Sequence, residues 1–244
     1  KLSLLDGSEG DIEIIKSKFC IGEEIESPKV SLKKPNDKNR RDLTSQNSLL
    51  FNSWSKNDCP KLLAVHAEPY KGGVKAWVHI PSVSERIVKG SRIDDWLKNR
   101  VESKCLGERW INLLSASLIK ESCFAVNKEN EAITVELVID KYGEINKWEF
   151  YLSKIKPAAE IKDQDLELIA NKKPSTKTTP IKLKPLKSYI TSIETVMFLT
   201  EQLNSRFKQE GLLEFEYNNN SIESLYDHIH INPGRDFYGW KHKY

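Results

Sequence analysis

The sequence holds one methionine, four widely spaced cysteines and no apolar run approaching the roughly 18 residues that a membrane-spanning helix needs. Membrane insertion is therefore not expected, and no apolar targeting segment stands between Lys1 and Leu5. Cys20, Cys59, Cys105 and Cys123 form no C-x-x-C pair, which argues against a zinc ribbon or a dense disulfide framework and fits a reducing, intracellular setting. Charge of one sign is also scarce: 38 Lys and Arg face 35 Asp and Glu, so the net charge is only +3 and any basic surface must come from uneven placement. No G-x-S-x-G elbow, Walker glycine loop or H-E-x-x-H helix is present, which removes the usual acyl-transfer, nucleotide and zinc-protease chemistries. Because the first residue is Lys1 and the single methionine is Met197, the true start is expected to be missing, and cytoplasm and an organelle matrix after presequence removal both stay open.

What is present is a 244-residue chain, 39% apolar and 30% charged, enough to bury a sizeable core. Asp11 to Cys20 has the pattern of an amphipathic helix, and Pro28 to Arg41 turns Lys-, Asn- and Pro-rich like an exposed linker. LLAVHAEP and VKAWVHIP, joined through YKGG, predict a β-hairpin. Ser91 opens a helix, with Asp94 three residues on in the manner of a capping box, and Ile93, Trp96, Leu97 and Val101 fall on one face. A second hairpin is expected from the alternation of Ile133, Val135, Leu137 and Ile139, the turn DKYG, and the run through Trp148, Phe150 and Leu152. Trp77, Trp96 and Trp148 all sit on predicted core faces.

Residues 171–187, rich in Lys, Thr and Pro, read as a mobile basic loop. Ile190, Ile193, Met197, Leu203 and Phe207 then recur at helical spacing up to a C-cap region at Gly211, and LLEFEY reads as a strand. Strands and helices mix without a βαβ rhythm, so the expected class is α+β, a mixed or antiparallel sheet with packed helices. The expected organisation is an N-terminal helix and basic linker over 1–39, a main domain over 40–220 and a C-terminal extension over 221–244.

The chemistry-bearing groups are few. His228 and His230, near Asp227, Asp236 and His242, are weak metal candidates, and terminal surface histidines look the same. Two basic stretches, one with Lys33, Lys34, Lys38, Arg40 and Arg41 and one with Lys172, Lys173, Lys177, Lys182, Lys184 and Lys187, can neutralise phosphates, and solvated linkers with no partner would look the same in sequence.

The order of segments resembles the catalytic RNB domain of the ribonuclease II and ribonuclease R exoribonucleases. RRDLT at Arg40 to Thr44 is similar to the family's R-x-DL; VHIPSVS and GSRIDDW are similar to its V-H-I-A-D-V-S and G-S-x-L-D; FKQEGLLEFEY is similar to its R-x-x-x-G-A-L-x-F strand. The resemblance implies an RNB-like scaffold covering only part of the family's full length. It also implies four magnesium-binding aspartates in the pattern D-x5-D-x-D-D. Aligned on Leu63, Ala64 and Val65, those positions are here Asn52, Asp58, Pro60 and Lys61, and the family's base-stacking tyrosine falls at Cys105. Formal charge there drops from about −4 to about 0, which removes the electrostatic basis of two-metal hydrolysis.

Three functions follow as alternatives. The chain is expected to be an RNA-associated protein without catalysis and without a cofactor, binding single-stranded RNA through Arg41, Lys56, Lys61, Lys182, Lys184 and Lys187. Otherwise it is a protein-interaction subunit of a larger assembly, or a magnesium-dependent 3′ to 5′ exoribonuclease with atypical ligands such as Asp58.

Overall fold

The computed structural model describes residues 13–14, 16–18, 27–29, 31–52, 61–106, 109–171, 181–211, 220–221 and 232–233. The described positions between 13 and 18 are helical, as the amphipathic pattern there predicts. In chain order the strands are β1 (Arg41–Leu43), β2 (Leu49–Asn52), β3 (Ala64–Tyr70), β4 (Gly73–Pro81), β5 (Lys104–Leu106), β6 (Arg109–Ile111), β7 (Asn130–Ile139), β8 (Ile145–Ile155), β9 (Ala159–Lys162), β10 (Asn220–Ser221) and β11 (Asn232–Pro233). The α-helices are α1 (Arg92–Arg100), α2 (Ala116–Ser122), α3 (Asp163–Ala170) and α4 (Ile190–Gln209). The expected strand at 212–217 lies outside the described residues.

The chain divides into two compact units, one of residues 1–32, 87–117 and 215–243, the other of 33–86 and 118–214 with Tyr244. The first holds α1 and the β5–β6 pair. Ser91 Oγ caps α1 by accepting from Asp94 N at 3.4 Å, and Asp94 Oδ2 accepts from Gly90 N at 2.8 Å. Ile93 is buried as predicted. Val101 is not: it is the C-cap with φ 66°, is 75% exposed, and stands outside the helical face assigned to it because the helix ends at Arg100.

The second unit is built on one mixed seven-stranded sheet in the order β1-β8-β7-β4-β3-β2-β9. The expected hairpins are its centre. Tyr70 pairs with Gly73 across Lys71 and Gly72, both at positive φ (46° and 81°), which matches the twist of a two-residue hairpin turn. Gly73 is required for a different reason: a Cβ there would lie 2.1 Å from Ile139 O. In the β7–β8 turn, Asp140 Oδ1 accepts from Tyr142 N and Glu144 N at 2.8 and 2.9 Å.

Alternation gives the sheet two unlike faces. On one, Leu49 and Ile161 pack with Ile169, Leu183, Leu186 and Ile193, while Ala67, Val74, Ala76 and Ile139 pack with Leu199 of α4. On the other, Leu50, Ala64, Ala132 and Ile155 pack with Phe124.

Two expectations are corrected here. The basic loop gives way, over Ile181–Tyr189, to a 3-10 helix. A period of three residues places Leu183 and Leu186 on one ridge, and both are buried, while Lys182, Lys184 and Lys187 face water. Trp148 and Phe150 lie on the helix-covered face, but the apolar cluster under α4 is formed by β3, β4 and β7, so these two rings on β8 remain 63% and 60% exposed. The most buried residues of β7 besides Ile139 are Ala132 and Thr134, on the opposite face.

Candidate nucleic-acid interface

The two described positions of the four singled out by the resemblance stand at one corner of the second unit. Asn52 ends β2, and Lys61 stands three residues before β3. The edge strand β9 runs parallel to β2, pairing Leu50 with Glu160 and Asn52 with Lys162. Lys61 Nζ lies 2.5 Å from Glu160 Oε2, with the lysine side chain 41% and the glutamate 20% exposed. The backbone of Lys61 is fixed as well, its carbonyl accepting from Phe124 N at 3.0 Å. Burial pushes the neighbouring Cys123 thiol up, against a hydrogen bond from the Lys61 backbone and the pull of its ammonium. Lys56, Asp58 and Pro60 lie outside the described residues, as do His228 and His230. Cys105 belongs to the other unit, in β5, paired with Trp110 of β6.

The other basic candidates are distributed differently. Arg41 projects from β1 with its guanidinium 3.8 Å above the Tyr151 ring and in an ion pair with Glu149, so its charge is largely engaged. Lys182, Lys184 and Lys187 are exposed on the 3-10 helix.

Alternation along β4, β7 and β8 also assembles a polar network that no single sequence motif announces. Glu136 accepts from Tyr151 OH at 2.8 Å and Trp77 Nε1 at 3.1 Å, and pairs with Lys75 Nζ at 2.7 Å. Burial alone would raise the Glu136 carboxyl, but its donors Lys75, Tyr151 and Trp77 outweigh it and hold the group below the usual carboxylate range. Tyr151 is pushed up to about 12 by burial and by donating to that carboxylate. Deeper on the same face, His79 Nδ1 meets Thr134 Oγ1, which meets Ser153 Oγ at 2.6 Å, all three residues being buried. Burial, with the nearby His66 second, brings His79 down to about 3. Arg40, the first arginine of RRDLT, is also internal: it pairs with Glu85 and donates to the carbonyls of Ala132 and Ser153 at 3.4 and 3.3 Å. The signal for this network was the period of two, which puts Lys75, Trp77 and His79 on one side of β4.

Among the described residues no helix is long and apolar enough to cross a membrane, and no group of three or more His, Cys, Asp or Glu is placed to hold a metal ion.

Comparison with known proteins places this scaffold. The family model for the RNB domain matches residues 40–235. Ribonuclease R of Aquifex aeolicus (strain VF5) is 27% identical over 177 residues, covering 72% of this chain but only 24% of that protein. Among solved structures, Mycoplasma genitalium RNase R in complex with ribose methylated single-stranded RNA aligns with a TM-score of 0.69 at 16% identity, over 88% of this chain and 34% of that one. Yeast Ssd1, described as a pseudonuclease, aligns with a TM-score of 0.60 at 18% identity, over 79% of this chain and 23% of that one. The chain thus spans about a quarter of the curated relative and about a third or less of these two structures. The family model covers residues 40–235, well over half of the sequence, and the chain belongs to the RNB-domain family.

Proposed function

We propose that this chain binds single-stranded RNA and does not cleave it by the family's two-metal route. The observation that carries the reading is the Lys61–Glu160 pair at the fourth of the family's aspartate positions. A hard dication needs several anionic oxygens around it, and an ammonium at this position supplies none while it occupies the Glu160 carboxylate. With Asn52 and Pro60 at two of the other positions, the residues at these positions do not fit magnesium. Lys61 meets a backbone phosphate as a point charge, and Lys182, Lys184 and Lys187 add exposed positive charge. The RNA in the Mycoplasma genitalium RNase R complexes, one with single-stranded and one with double-stranded RNA, supports RNA as the ligand class, and the pseudonuclease among the structural neighbours supports loss of cleavage.

The test uses end-labelled single-stranded RNA incubated with the chain, with and without magnesium or manganese, scored for retardation and shortening on one gel. Retardation without shortening, weakened by salt, is expected. Metal-dependent shortening that disappears in Asp58→Asn restores an active exoribonuclease.

A protein-interaction role is the second reading, and one observation favours it: Trp148 and Phe150 stand edge to face with centroids 5.4 Å apart on an exposed stretch of β8, and Ile80 of β4 is also 46% exposed. Neither retardation nor shortening in the RNA experiment moves the weight to it.

A further inference from the structure

The ion pair at the family's metal position has two sides of unequal freedom. Lys61 is a long side chain, 41% exposed, that can swing towards water. Glu160 is 20% exposed and sits within β9, whose residues Ala159 to Lys162 are held in register with β2 from Leu49 to Asn52. The shorter and less exposed carboxylate therefore has less room to withdraw than the long ammonium side chain, which can leave it for water. A phosphate arriving at Lys61 meets a cation whose charge is already countered at 2.5 Å by a carboxylate carried on β9.

We infer that Glu160 is an intramolecular competitor for the phosphate, which holds Lys61 in a neutral pair until RNA displaces it and so sets the affinity of this corner. The inference rests on the reading that Lys61 contacts RNA. It gives Glu160 a role that charge count alone does not, because the carboxylate weakens binding in two ways: it repels phosphate directly, and it holds Lys61 back. Only the second depends on Lys61 being present, so the two can be separated by a double-mutant cycle.

The experiment measures the affinity of the full chain for single-stranded RNA at fixed low salt, with Glu160→Gln, Lys61→Gln and the double variant, and Glu129→Gln as an exposed charge control. Glu160→Gln keeps a hydrogen-bond acceptor beside the ammonium and removes the charge. It is expected to tighten binding about fivefold when Lys61 is present and less than twofold in the Lys61→Gln background, an effect of the size of one partly exposed ion pair. Glu129→Gln is expected to stay within about twofold. Equal gains in both backgrounds, or no gain with Lys61 present, overturn the inference while leaving RNA binding by Lys61 intact. A Lys61→Gln variant that binds RNA as the parent does overturns the reading beneath it. Should Glu160→Gln fail to fold, judged by its thermal melt, Glu160→Asp serves instead: it lengthens the pair and keeps the charge, and it is expected to tighten binding by about threefold, whereas a change within the roughly twofold span of the control, or weaker binding, overturns the inference.

Discussion

His79 Nδ1 lies 2.8 Å from Thr134 Oγ1 on the neighbouring strand, in a row of the sheet where both residues are fully buried. Because burial brings the folded-state pKa of His79 from 6.5 to about 3, the folded protein refuses a proton that the unfolded chain accepts. The sign follows: the stability due to neutral His79 is fully present above pH 6.5 and is lost as pH falls towards 3, by about 3 kcal/mol between pH 7 and pH 4. His79→Phe removes the titration and keeps an aromatic ring in place. Urea unfolding of parent and variant at both pH values is expected to show that the parent loses about 3 kcal/mol more than the variant. Equal losses would mean that His79 is protonated in the folded state.

Arg40 is a deeply held cation of the second unit, its side chain 1% exposed against 22% for its partner Glu85. Its guanidinium serves that carboxylate and the carbonyls of Ala132 and Ser153 together, a division of donors that an ammonium cannot reproduce. Arg40→Ala is therefore expected to cost about 3 kcal/mol, most of it from the charge left behind on Glu85, and Arg40→Lys to recover less than half. Chemical denaturation of the two variants tests this. A loss under about 1 kcal/mol, or full rescue by lysine, would show that the pair is solvated.

Two adjacent glycines separate backbone conformation from space. Gly72 has φ 81° and open space where a methyl would stand, so Gly72→Ala is expected to cost only about 1 kcal/mol, from the left-handed backbone. Gly73→Ala drives a methyl into Ile139 O at 2.1 Å, so β4 and β7 must part locally, and a loss of at least about 3 kcal/mol is expected. Thermal melts that rank the two in the opposite order would refute the close approach of Gly73 to Ile139.

Trp77 and Trp148 make a contrast of the same kind between faces. Trp77 is 5% exposed and donates to Glu136, whereas Trp148 is 63% exposed. Trp77→Ala is expected to cost about 3 to 5 kcal/mol, and Trp148→Ala to stay within about 1 kcal/mol. Trp148→Phe is also expected to lower the iodide-quenchable fluorescence, whereas Trp77→Phe leaves it unchanged.

These contrasts mark how far the sequence was legible. The two central hairpins and α1 were readable because period-two alternation, a glycine turn and a serine N-cap are local signals. The exposure of Trp148 was not, since alternation identifies a face but not which half of it a helix covers. The 3-10 helix was hidden by its lysines and by Pro185, and its leucines at 183 and 186 are too few to announce a three-residue period. At the candidate site, the resemblance located Asn52 and Lys61, but Glu160 lies 99 residues from Lys61 and meets it only through the β2–β9 pairing, which no local pattern encodes.

The exposed lysines of the 3-10 helix offer a test of RNA binding that does not disturb the core. Leu183 and Leu186 fill the buried ridge, while Lys182, Lys184 and Lys187 are exposed, so replacing the three lysines by glutamine is expected to leave the melting temperature unchanged. Arg41, by contrast, is engaged with Glu149 and Tyr151 and gains a phosphate only by giving up both. If each lysine neutralises one phosphate of a single strand, the triple variant lowers the slope of log affinity against log salt by about 2, while Arg41→Gln changes it by less than about 0.5. Affinity measured from low to moderate salt decides between them: an unchanged slope in the triple variant would place the phosphate contacts elsewhere, and a large change in Arg41→Gln would show that its ion pair opens on binding.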